Sequence, residues 1–203
     1  PAARLAVLAA ELQPGSRVLD VCAAPGGKSF AAAIAMGDRG EIVSCDLHEN
    51  KLKRIREGAV RLGLSSICTE AADGRVFREE WRDVFDLVVV DAPCSGLGIL
   101  RKKPDIRWKK PDDLFTLPVV QTAILDNAAR YVRPGGTLLY STCTVLPEEN
   151  EEVTDSFLGI HPEFSREMFL LPEPIGQVEG HMTFWPQLHN TDGFYICRMT
   201  RHI

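Results

Sequence analysis

The sequence predicts an α/β fold with a mainly parallel, Rossmann-like central sheet and an antiparallel pair of strands near the C-terminus. Short apolar runs rich in β-forming residues alternate with stretches of helical periodicity, which is the pattern of βαβ units. Two further β-rich runs lie close together near the end of the chain, as expected for a hairpin at the sheet edge. The 203 residues, 45% of them apolar, suffice for one globular domain with a sizeable core, so we predict a single domain over residues 1–203.

Each predicted strand is a short apolar run that ends at a polar residue or a turn, and each predicted helix repeats apolar residues at helical spacing. The strands of the parallel part are Arg17–Cys22, Glu41–Asp46, Ser66–Ala71, Phe85–Asp91 and Gly136–Cys143. The helices are Pro1–Leu12, Lys28–Met36, Glu49–Leu62, Leu117–Tyr131 and Glu148–Leu158. Gly63 and the Pro134-Gly135-Gly136 turn are expected to end two of these helices. The edge hairpin consists of Gly180–Trp185 and Phe194–Thr200.

Composition excludes several classes of protein. No apolar stretch approaches the roughly 20 residues of a membrane span, and no signal-peptide pattern opens the chain. We therefore predict a cytoplasmic protein with no membrane partner, a monomer. The chain begins with Pro1 inside a predicted helix, so we expect a fragment of a longer protein. A net charge of −5 argues against a domain that clamps nucleic acid over its whole surface, and leaves room only for a local basic patch.

Four of the six cysteines are predicted to be reduced core residues. Cys22, Cys45, Cys68 and Cys197 stand in apolar contexts without the close paired spacing of a zinc site or a redox motif. We therefore predict neither disulfides nor a metal site.

The cofactor end of the predicted sheet carries a glycine turn and a row of acids. The turn lies within Asp20–Ser29 (DVCAAPGGKS) after the first strand, and it matches neither a Walker A loop nor the Gly-x-Gly-x-x-Gly fingerprint. Asp46 ends the second strand, where it could accept both ribose hydroxyls, and Asp73 follows the third, where it could accept an adenine amine. Asp91 ends the fourth strand. Each acid alone could be a solvated loop residue, but the three together favour an adenosine ligand without a pyrophosphate, namely S-adenosylmethionine.

Two thiols end neighbouring strands at the same predicted edge, Cys94 in DAPCSG and Cys143 in YSTCTVLPEEN. A thiolate that adds to carbon 6 of a pyrimidine turns carbon 5 into a nucleophile able to accept a methyl group from a sulfonium. The dipole of a helix starting near Pro147 could favour the Cys143 thiolate, while Glu148 and Glu149 are expected to serve the first turn of that helix. Taken alone, Cys143 could equally be a packed strand residue.

Three motifs resemble the signatures of the RNA (cytosine-5)-methyltransferases, within them the bacterial Sun-type (RsmB) 16S ribosomal RNA enzymes. These motifs are CAAPGGK (Cys22–Lys28), DAPCSG (Asp91–Gly96) and STCT followed by PEENE (Ser141–Glu151), and His189–Phe194 is similar to the family's closing motif. The resemblance implies a class I S-adenosylmethionine-dependent methyltransferase fold and 5-methylcytosine formation in RNA. It also implies a missing N-terminal RNA-binding domain.

The resemblance further implies a role for each matching residue. The residues it gives to S-adenosylmethionine are Cys22, Ala23, Ala24, Pro25, Gly26, Gly27, Lys28, Asp46, Asp73 and Asp91. It makes Cys143 the nucleophile and Cys94 the thiol that assists release of the product, and Asp91 could also contact the target base. A Pro-Cys motif by itself would instead favour Cys94 as the nucleophile, as in the DNA cytosine-5 methyltransferases.

A basic segment follows Cys94 and is the predicted RNA contact. Its candidate residues are Arg101, Lys102, Lys103, Arg107, Trp108, Lys109 and Lys110. The cations suit phosphates and Trp108 suits base stacking, although a charge run can also be merely a solvated face. The target cytosine must leave its stack to reach a thiol, so single-stranded or loop RNA is expected. His189 is predicted either near the site or as a structural residue between the last two strands.

Four alternatives stay open at this point. The acceptor could be tRNA or another RNA rather than 16S ribosomal RNA. A methyltransferase acting on adenine amines would need no thiol and usually carries an Asn/Asp-Pro-Pro-aromatic motif, where this chain has Asp-Ala-Pro-Cys. A non-catalytic RNA-binding assembly factor could keep the same fold, and an NAD-dependent oxidoreductase would need the dinucleotide fingerprint that is missing here.

Overall fold

A computed structural model describes residues 2–108 and 116–203, so Pro1, Lys109 and Lys110 lie outside the described part. The α-helices of the described residues are α1 (Ala2–Ala9), α2 (Gly27–Ala35), α3 (Glu49–Leu62), α4 (Leu117–Ala129), α5 (Glu151–Ile160) and α6 (Pro186–His189). The first five strands are β1 (Arg17–Asp20), β2 (Glu41–Asp46), β3 (Ile67–Ala71), β4 (Phe85–Asp91) and β5 (Val132–Thr142). The remaining strands are β6 (Phe164–Arg166), β7 (Phe169–Leu171), β8 (Gly176–Val178), β9 (His181–Phe184) and β10 (Phe194–Arg201).

The main sheet has the order β3-β2-β1-β4-β5-β10-β6. Strand β9 also pairs with β10, on the same side as β6 and along a different part of β10. Strands β1 to β5 run parallel, whereas β10 is antiparallel to β5, β6 and β9. The predicted α/β fold with antiparallel C-terminal strands is therefore confirmed. The chain order reverses between β1 and β4, and in such sheets ligands bind outside the carboxyl ends at this switch point.

The sheet is buried on both faces because successive side chains of a strand point in opposite directions. In β4, Val88 and Val90 pack with residues of α4 and α5, such as Leu125 and Phe157. Leu87 and Val89 of the same strand pack on the other face with side chains of α1 and α2. Helices thus cover both faces, and they leave the carboxyl edge of the strands open for a site.

The end of helix α4 and the place of the Pro134-Gly135-Gly136 turn differ from the sequence-based expectation. Helix α4 ends at Ala129 because the Tyr131 carbonyl already accepts hydrogen bonds from the backbone of Val84 and Phe85. The Pro134-Gly135-Gly136 turn therefore ends no helix. It lies inside β5 as a bulge, since Val132 pairs with Phe85 while Thr137 pairs with Leu87.

The C-terminal hairpin is real but is not a simple edge addition. β10 lies between β5 and the pair β6 and β9, so it is an interior strand. Strands β6, β7 and β8 were not predicted, and β7 and β8 form a separate two-stranded sheet.

All six cysteines are free, and Cys45 and Cys197 are core residues as predicted. Cys22 is half-buried against the core, but Cys68 is exposed, so its prediction as a core residue was wrong. The reason is that β3 is the edge strand and every residue of it is half-buried or exposed. No helix among the described residues is long and apolar enough to cross a membrane.

Candidate active site

A cavity of about 510 Å³ opens at the carboxyl ends of β1, β2, β4 and β5. Of the predicted cofactor residues, those that line it are Cys22, Ala24, Lys28, Asp46, Asp73 and Asp91. Both thiols, Cys94 and Cys143, line the same cavity. The structure therefore brings the glycine turn, the three acids and the two thiols together, as the order of strand ends predicts.

The remaining predicted cofactor residues shape the turn rather than line the cavity. Gly26 has φ +103°, and a side chain there would place its Cβ 2.7 Å from the ring of Phe30. The Gly26 backbone N–H donates to the Ala23 carbonyl at 2.6 Å, and α2 begins directly after it at Gly27. Glycine at position 26 thus permits the tight approach of the chain between β1 and α2. Pro25 precedes this turn.

Two of the acids are held by neighbouring cations at the mouth of the cavity. Asp46 is 7% exposed, accepts the His48 backbone N–H at 3.0 Å and pairs with the Lys51 amine at 3.3 Å. Both carboxylate oxygens of Asp73 accept hydrogen bonds from the Arg75 guanidinium, at 2.9 and 2.7 Å. These bonds hold the pKa of Asp73 below its ordinary value, which keeps the group an acceptor.

Asp91 forms an ion pair in the centre of the cavity lining. Its Oδ2 lies 2.6 Å from the amine of Lys28, whose side chain is only 13% exposed, and its Oδ1 accepts a bond from Ser141 Oγ at 3.1 Å. Lys28 comes from the glycine-turn motif and Asp91 from the Pro-Cys motif. This pair therefore joins the cofactor end to the thiol end.

The two thiols are in direct contact. Cys94 Sγ and Cys143 Sγ are 3.0 Å apart, and the Cys143 backbone N–H donates to Cys94 Sγ at 3.3 Å. The hydrogen bond between the two thiols lowers the pKa of Cys143 from its ordinary value, although burial opposes this. The same bond, together with burial, raises the pKa of Cys94. Of the pair, Cys143 is the thiol that more readily forms a thiolate, which is the reactive form of cysteine.

The expected helix begins near Pro147 as a 3-10 turn over Pro147–Glu149, and α5 follows from Glu151. Glu149 is 1% exposed and lies outside the first turn of α5, whereas Glu148 is exposed. An effect of this turn on the Cys143 thiolate stays a prediction. The contact of Cys143 with Cys94 is a further source of support that the sequence did not show.

Asp20 is a buried acid directly before the glycine turn; it does not line the cavity, and the sequence analysis did not single it out. It is 1% exposed, its Oδ2 accepts the Ser29 hydroxyl at 2.6 Å, and its Oδ1 has no hydrogen-bond partner among the described residues. Burial raises its pKa from 3.8 to about 6. An acid at the end of an apolar strand, directly before a glycine turn, was the available signal.

The basic segment that follows Cys94 is exposed, but two of its cations already have partners within the protein. The described residues of the predicted RNA contact that are exposed are Arg101, Lys102, Lys103, Arg107 and Trp108, with Trp108 81% exposed. The amine of Lys102, however, is paired with the buried carboxylate of Asp192, and Arg107 Nε donates to the Pro104 carbonyl at 3.0 Å. Lys102 therefore also tethers the segment to the β9–β10 connection, and its contact with RNA stays a prediction.

His189 has a structural position. Its Nδ1 accepts the Trp185 backbone N–H at 2.9 Å, and its ring packs against Phe184. These contacts close the short helix α6, and His189 does not line the cavity. No cluster of His, Cys, Asp or Glu that could hold a metal ion occurs in residues 2–108 and 116–203.

Comparison with known proteins points to one family. The family model described as 16S rRNA methyltransferase RsmB/F matches residues 7–200. The probable ribosomal RNA small subunit methyltransferase B of Bacillus subtilis is 45% identical over 204 residues, with coverage of 96% of this chain and 46% of that protein. The ribosomal RNA small subunit methyltransferase F of Citrobacter koseri is 34% identical and matches 97% of this chain. The chain thus spans about half the length of the curated relatives it matches.

Solved structures agree on the fold. The crystal structure of PH0851 superposes with a TM-score of 0.89 at 36% identity, and covers 98% of this chain and 45% of that one. NSun6 from Pyrococcus horikoshii, solved with SFG, superposes with a TM-score of 0.81 at 27% identity, and covers 98% of this chain and 51% of that one.

Proposed function

The chain belongs to the RsmB/F family of 16S rRNA methyltransferases, and from that premise we propose that it transfers a methyl group from S-adenosylmethionine to carbon 5 of a cytosine in RNA. The observation that carries the proposal is the contact between Cys94 and Cys143, 3.0 Å apart in the wall of a cavity lined with acids. An amine-directed methyltransferase needs no thiol, and an NAD-dependent oxidoreductase would need the dinucleotide fingerprint that this chain lacks. The proposed RNA is 16S ribosomal RNA, which the description of the family model names, and the matching relatives are named as methyltransferases of small subunit ribosomal RNA.

The residues present fit S-adenosylmethionine. Cys22, Ala24 and Lys28 of the turn line the cavity, Asp46 and Asp73 offer acceptors for the ribose and adenine, and Asp91 lies in the same lining as the thiols. Behind the turn, one carboxylate oxygen of Asp20 has no partner among the described residues, and a negative charge there would favour a cationic ligand. When bound, S-adenosylmethionine supplies the electrophilic methyl group. SFG, an analogue of it, accompanies the related NSun6.

Cys143 is the proposed nucleophile. Its thiolate adds to carbon 6 of the cytosine, and the electron pair displaced to carbon 5 takes up the methyl group. A base, for which no residue of this chain is assigned, then takes the proton from carbon 5. The electron pair of that C–H bond re-forms the double bond between carbons 5 and 6, which breaks the bond between sulfur and carbon 6 and restores the thiolate. The lowered pKa of Cys143 supports this assignment, because only the thiolate attacks.

Cys94 is the proposed release thiol. It shares a hydrogen bond with Cys143, so it can stabilise the departing thiolate as the bond to carbon 6 breaks. Asp91, fixed by Lys28 and Ser141, is proposed to orient the target base beside the thiols. The division of roles agrees with the opposite pKa shifts of the two thiols.

The RNA is proposed to lie over the basic segment that follows Cys94. Arg101, Lys103 and Arg107 suit phosphate contacts and Trp108 suits stacking, while Lys109 and Lys110 are further candidates from the sequence alone. The cytosine has to be turned out of its stack to enter the cavity. Acting on ribosomal RNA, the protein is proposed to work in the cytoplasm as a monomer.

Labelled methyl transfer tests this proposal. We expect the protein with S-adenosylmethionine to label 16S ribosomal RNA at a cytosine, and base-resolution mapping to identify 5-methylcytosine. N6-methyladenine as the product would replace the proposal with an amine-directed reaction. Binding of S-adenosylmethionine in calorimetry without transfer to any RNA would leave a non-catalytic RNA-binding factor, and transfer to tRNA alone would correct the substrate.

A further inference from the structure

Each thiol-bearing loop is held on both sides of its cysteine by a buried side chain. Beside Cys94, the Gln121 amide donates to the Pro93 carbonyl at 3.0 Å, and Glu149 Oε2 accepts the Ser95 backbone N–H at 2.9 Å. Gln121 also donates to Glu149 Oε2 at 2.8 Å. The backbone of Cys94 is thus fixed from the residue before it and the residue after it.

The loop of Cys143 is held in the same manner by Asn150, the residue that follows Glu149 in the chain. Asn150 Oδ1 accepts the Thr142 hydroxyl at 2.5 Å, and Asn150 Nδ2 donates to the Thr144 carbonyl at 3.2 Å. Adjacent residues, Glu149 and Asn150, therefore hold one thiol loop each. A bond of 2.8 Å from the Ser95 hydroxyl to Thr144 Oγ1 joins the two loops directly.

Neither side chain serves the helix that follows. Asn150 occupies the N-cap position of α5, yet its side chain makes no capping hydrogen bond. N-cap asparagine normally satisfies a free backbone N–H of its own helix, so the contacts of Asn150 with the Cys143 loop replace that role.

Burial of Glu149 lowers the stability of the folded protein, so packing alone does not explain this residue. It is 1% exposed, and its Oε1 has no hydrogen-bond partner among the described residues, as is also true of Gln121 Oε1. A buried polar group without a partner destabilises a protein, and an apolar pair of similar shape would fill the same space. What an apolar pair could not do is hold the backbone on both sides of Cys94.

We propose that Glu149 and Asn150 are positioning residues that set the separation of the two sulfur atoms, Glu149 through the Cys94 loop and Asn150 through the Cys143 loop. Their consequence for catalysis depends on the function proposed above. Loosening the Cys94 loop impairs release of methylated RNA, and loosening the Cys143 loop impairs attack. A defect of general folding would instead lower both steps together.

The first experiment reads the sulfur separation without RNA. In a Cys68→Ser background, which removes the exposed thiol, diamide oxidises Cys94 and Cys143 to a disulfide: each thiol loses one hydrogen to the reagent, which is reduced to its hydrazine. The rate is followed by mass spectrometry of the linked peptides. We expect Glu149→Ala and Asn150→Ala to couple at least tenfold more slowly than the parent protein.

Two variants complete this arm. Glu149→Gln keeps an oxygen that can replace Oε2, so it should couple at nearly the parent rate, as should Glu148→Ala, the exposed neighbour in the same turn. Should Asn150→Ala fail to fold by circular dichroism, Thr142→Val, which deletes one bond of Asn150 with little change in shape, replaces it. Should Glu149→Ala fail, Glu149→Asp, whose shorter side chain cannot keep the bond to the Ser95 backbone N–H, replaces it. Coupling at the parent rate in folded Glu149→Ala or Glu149→Asp and in folded Asn150→Ala or Thr142→Val would overturn the proposal.

The second experiment separates the two steps with RNA and S-adenosylmethionine. Glu149→Ala should accumulate a covalent RNA adduct as Cys94→Ala does, whereas Asn150→Ala should form adduct more slowly and accumulate none. Equal loss of both steps in the two variants would reduce Glu149 and Asn150 to structural residues. If Cys94→Ala itself formed no adduct, the proposed function would fail, while the disulfide rates would still decide the positioning role.

Discussion

Asp20→Asn removes a buried acid whose charge destabilises the folded protein at neutral pH. The wild-type carboxyl is 1% exposed and accepts one hydrogen bond, from Ser29. Burial raises its pKa from 3.8 to about 6. The folded protein therefore holds this proton more tightly than the unfolded chain does, which adds to the free energy of unfolding. This contribution is fully present below pH 3.8 and is lost as the pH rises through 6. Asparagine has nearly the same shape and does not ionise.

The expected size of the effect follows from these two values. One pKa unit corresponds to about 1.4 kcal/mol, and between pH 4.5 and pH 7 the linkage relation gives a loss of about 2 kcal/mol for wild type relative to Asp20→Asn. Urea unfolding of both proteins across this range, without methyl donor, measures the difference directly, because effects of other titrating groups cancel. A difference in free energy of unfolding that stayed constant with pH would refute the assignment of a raised pKa to Asp20.

Two further predictions concern the loops around the thiols. In Gly98→Ala the new Cβ would lie 2.0 Å from the Gly193 carbonyl oxygen and 2.9 Å from that of Cys143, so we expect a loss of about 2–3 kcal/mol in urea unfolding. Gly159 lies in helix α5, and a Cβ added there would have no neighbouring atom within 4 Å. Gly159→Ala should therefore raise the free energy of unfolding by about 0.5–1 kcal/mol. Equal effects of the two substitutions would contradict the packing described. Cys94→Ala removes the hydrogen bond that lowers the pKa of Cys143, so alkylation of Cys143 by iodoacetamide should need a higher pH. An unchanged pH profile would show that Cys94 does not support the thiolate.

The parts of the fold that could be predicted are those with a local signal. Strands β1, β2 and β4 are runs of apolar residues that end at an acid, and the glycine turn after β1 requires residues with unusual backbone freedom. Because parallel strands end at the same edge, the positions of Asp46, Asp91 and Cys143 in the chain were enough to place them in one cavity.

The parts that could not be predicted depend on contacts between distant residues. Strands β6, β7 and β8 have three residues each, too few to show an alternating pattern. Glu149 has the composition of a surface turn, and its burial depends on Gln121 and Ser95, which are 28 and 54 residues away in the chain. The pair of Lys102 with Asp192 spans 90 residues, so a charge run alone could not show which of its cations is engaged.

Trapping of the covalent intermediate tests the roles of the two thiols most directly. Wild type, Cys143→Ala and Cys94→Ala are incubated with 16S ribosomal RNA and S-adenosylmethionine, and protein-linked RNA is quantified by denaturing electrophoresis and mapped by mass spectrometry. We predict a stable adduct through Cys143 in Cys94→Ala, and neither adduct nor 5-methylcytosine in Cys143→Ala. Full turnover by Cys143→Ala, or an adduct through Cys94, would contradict the proposed mechanism.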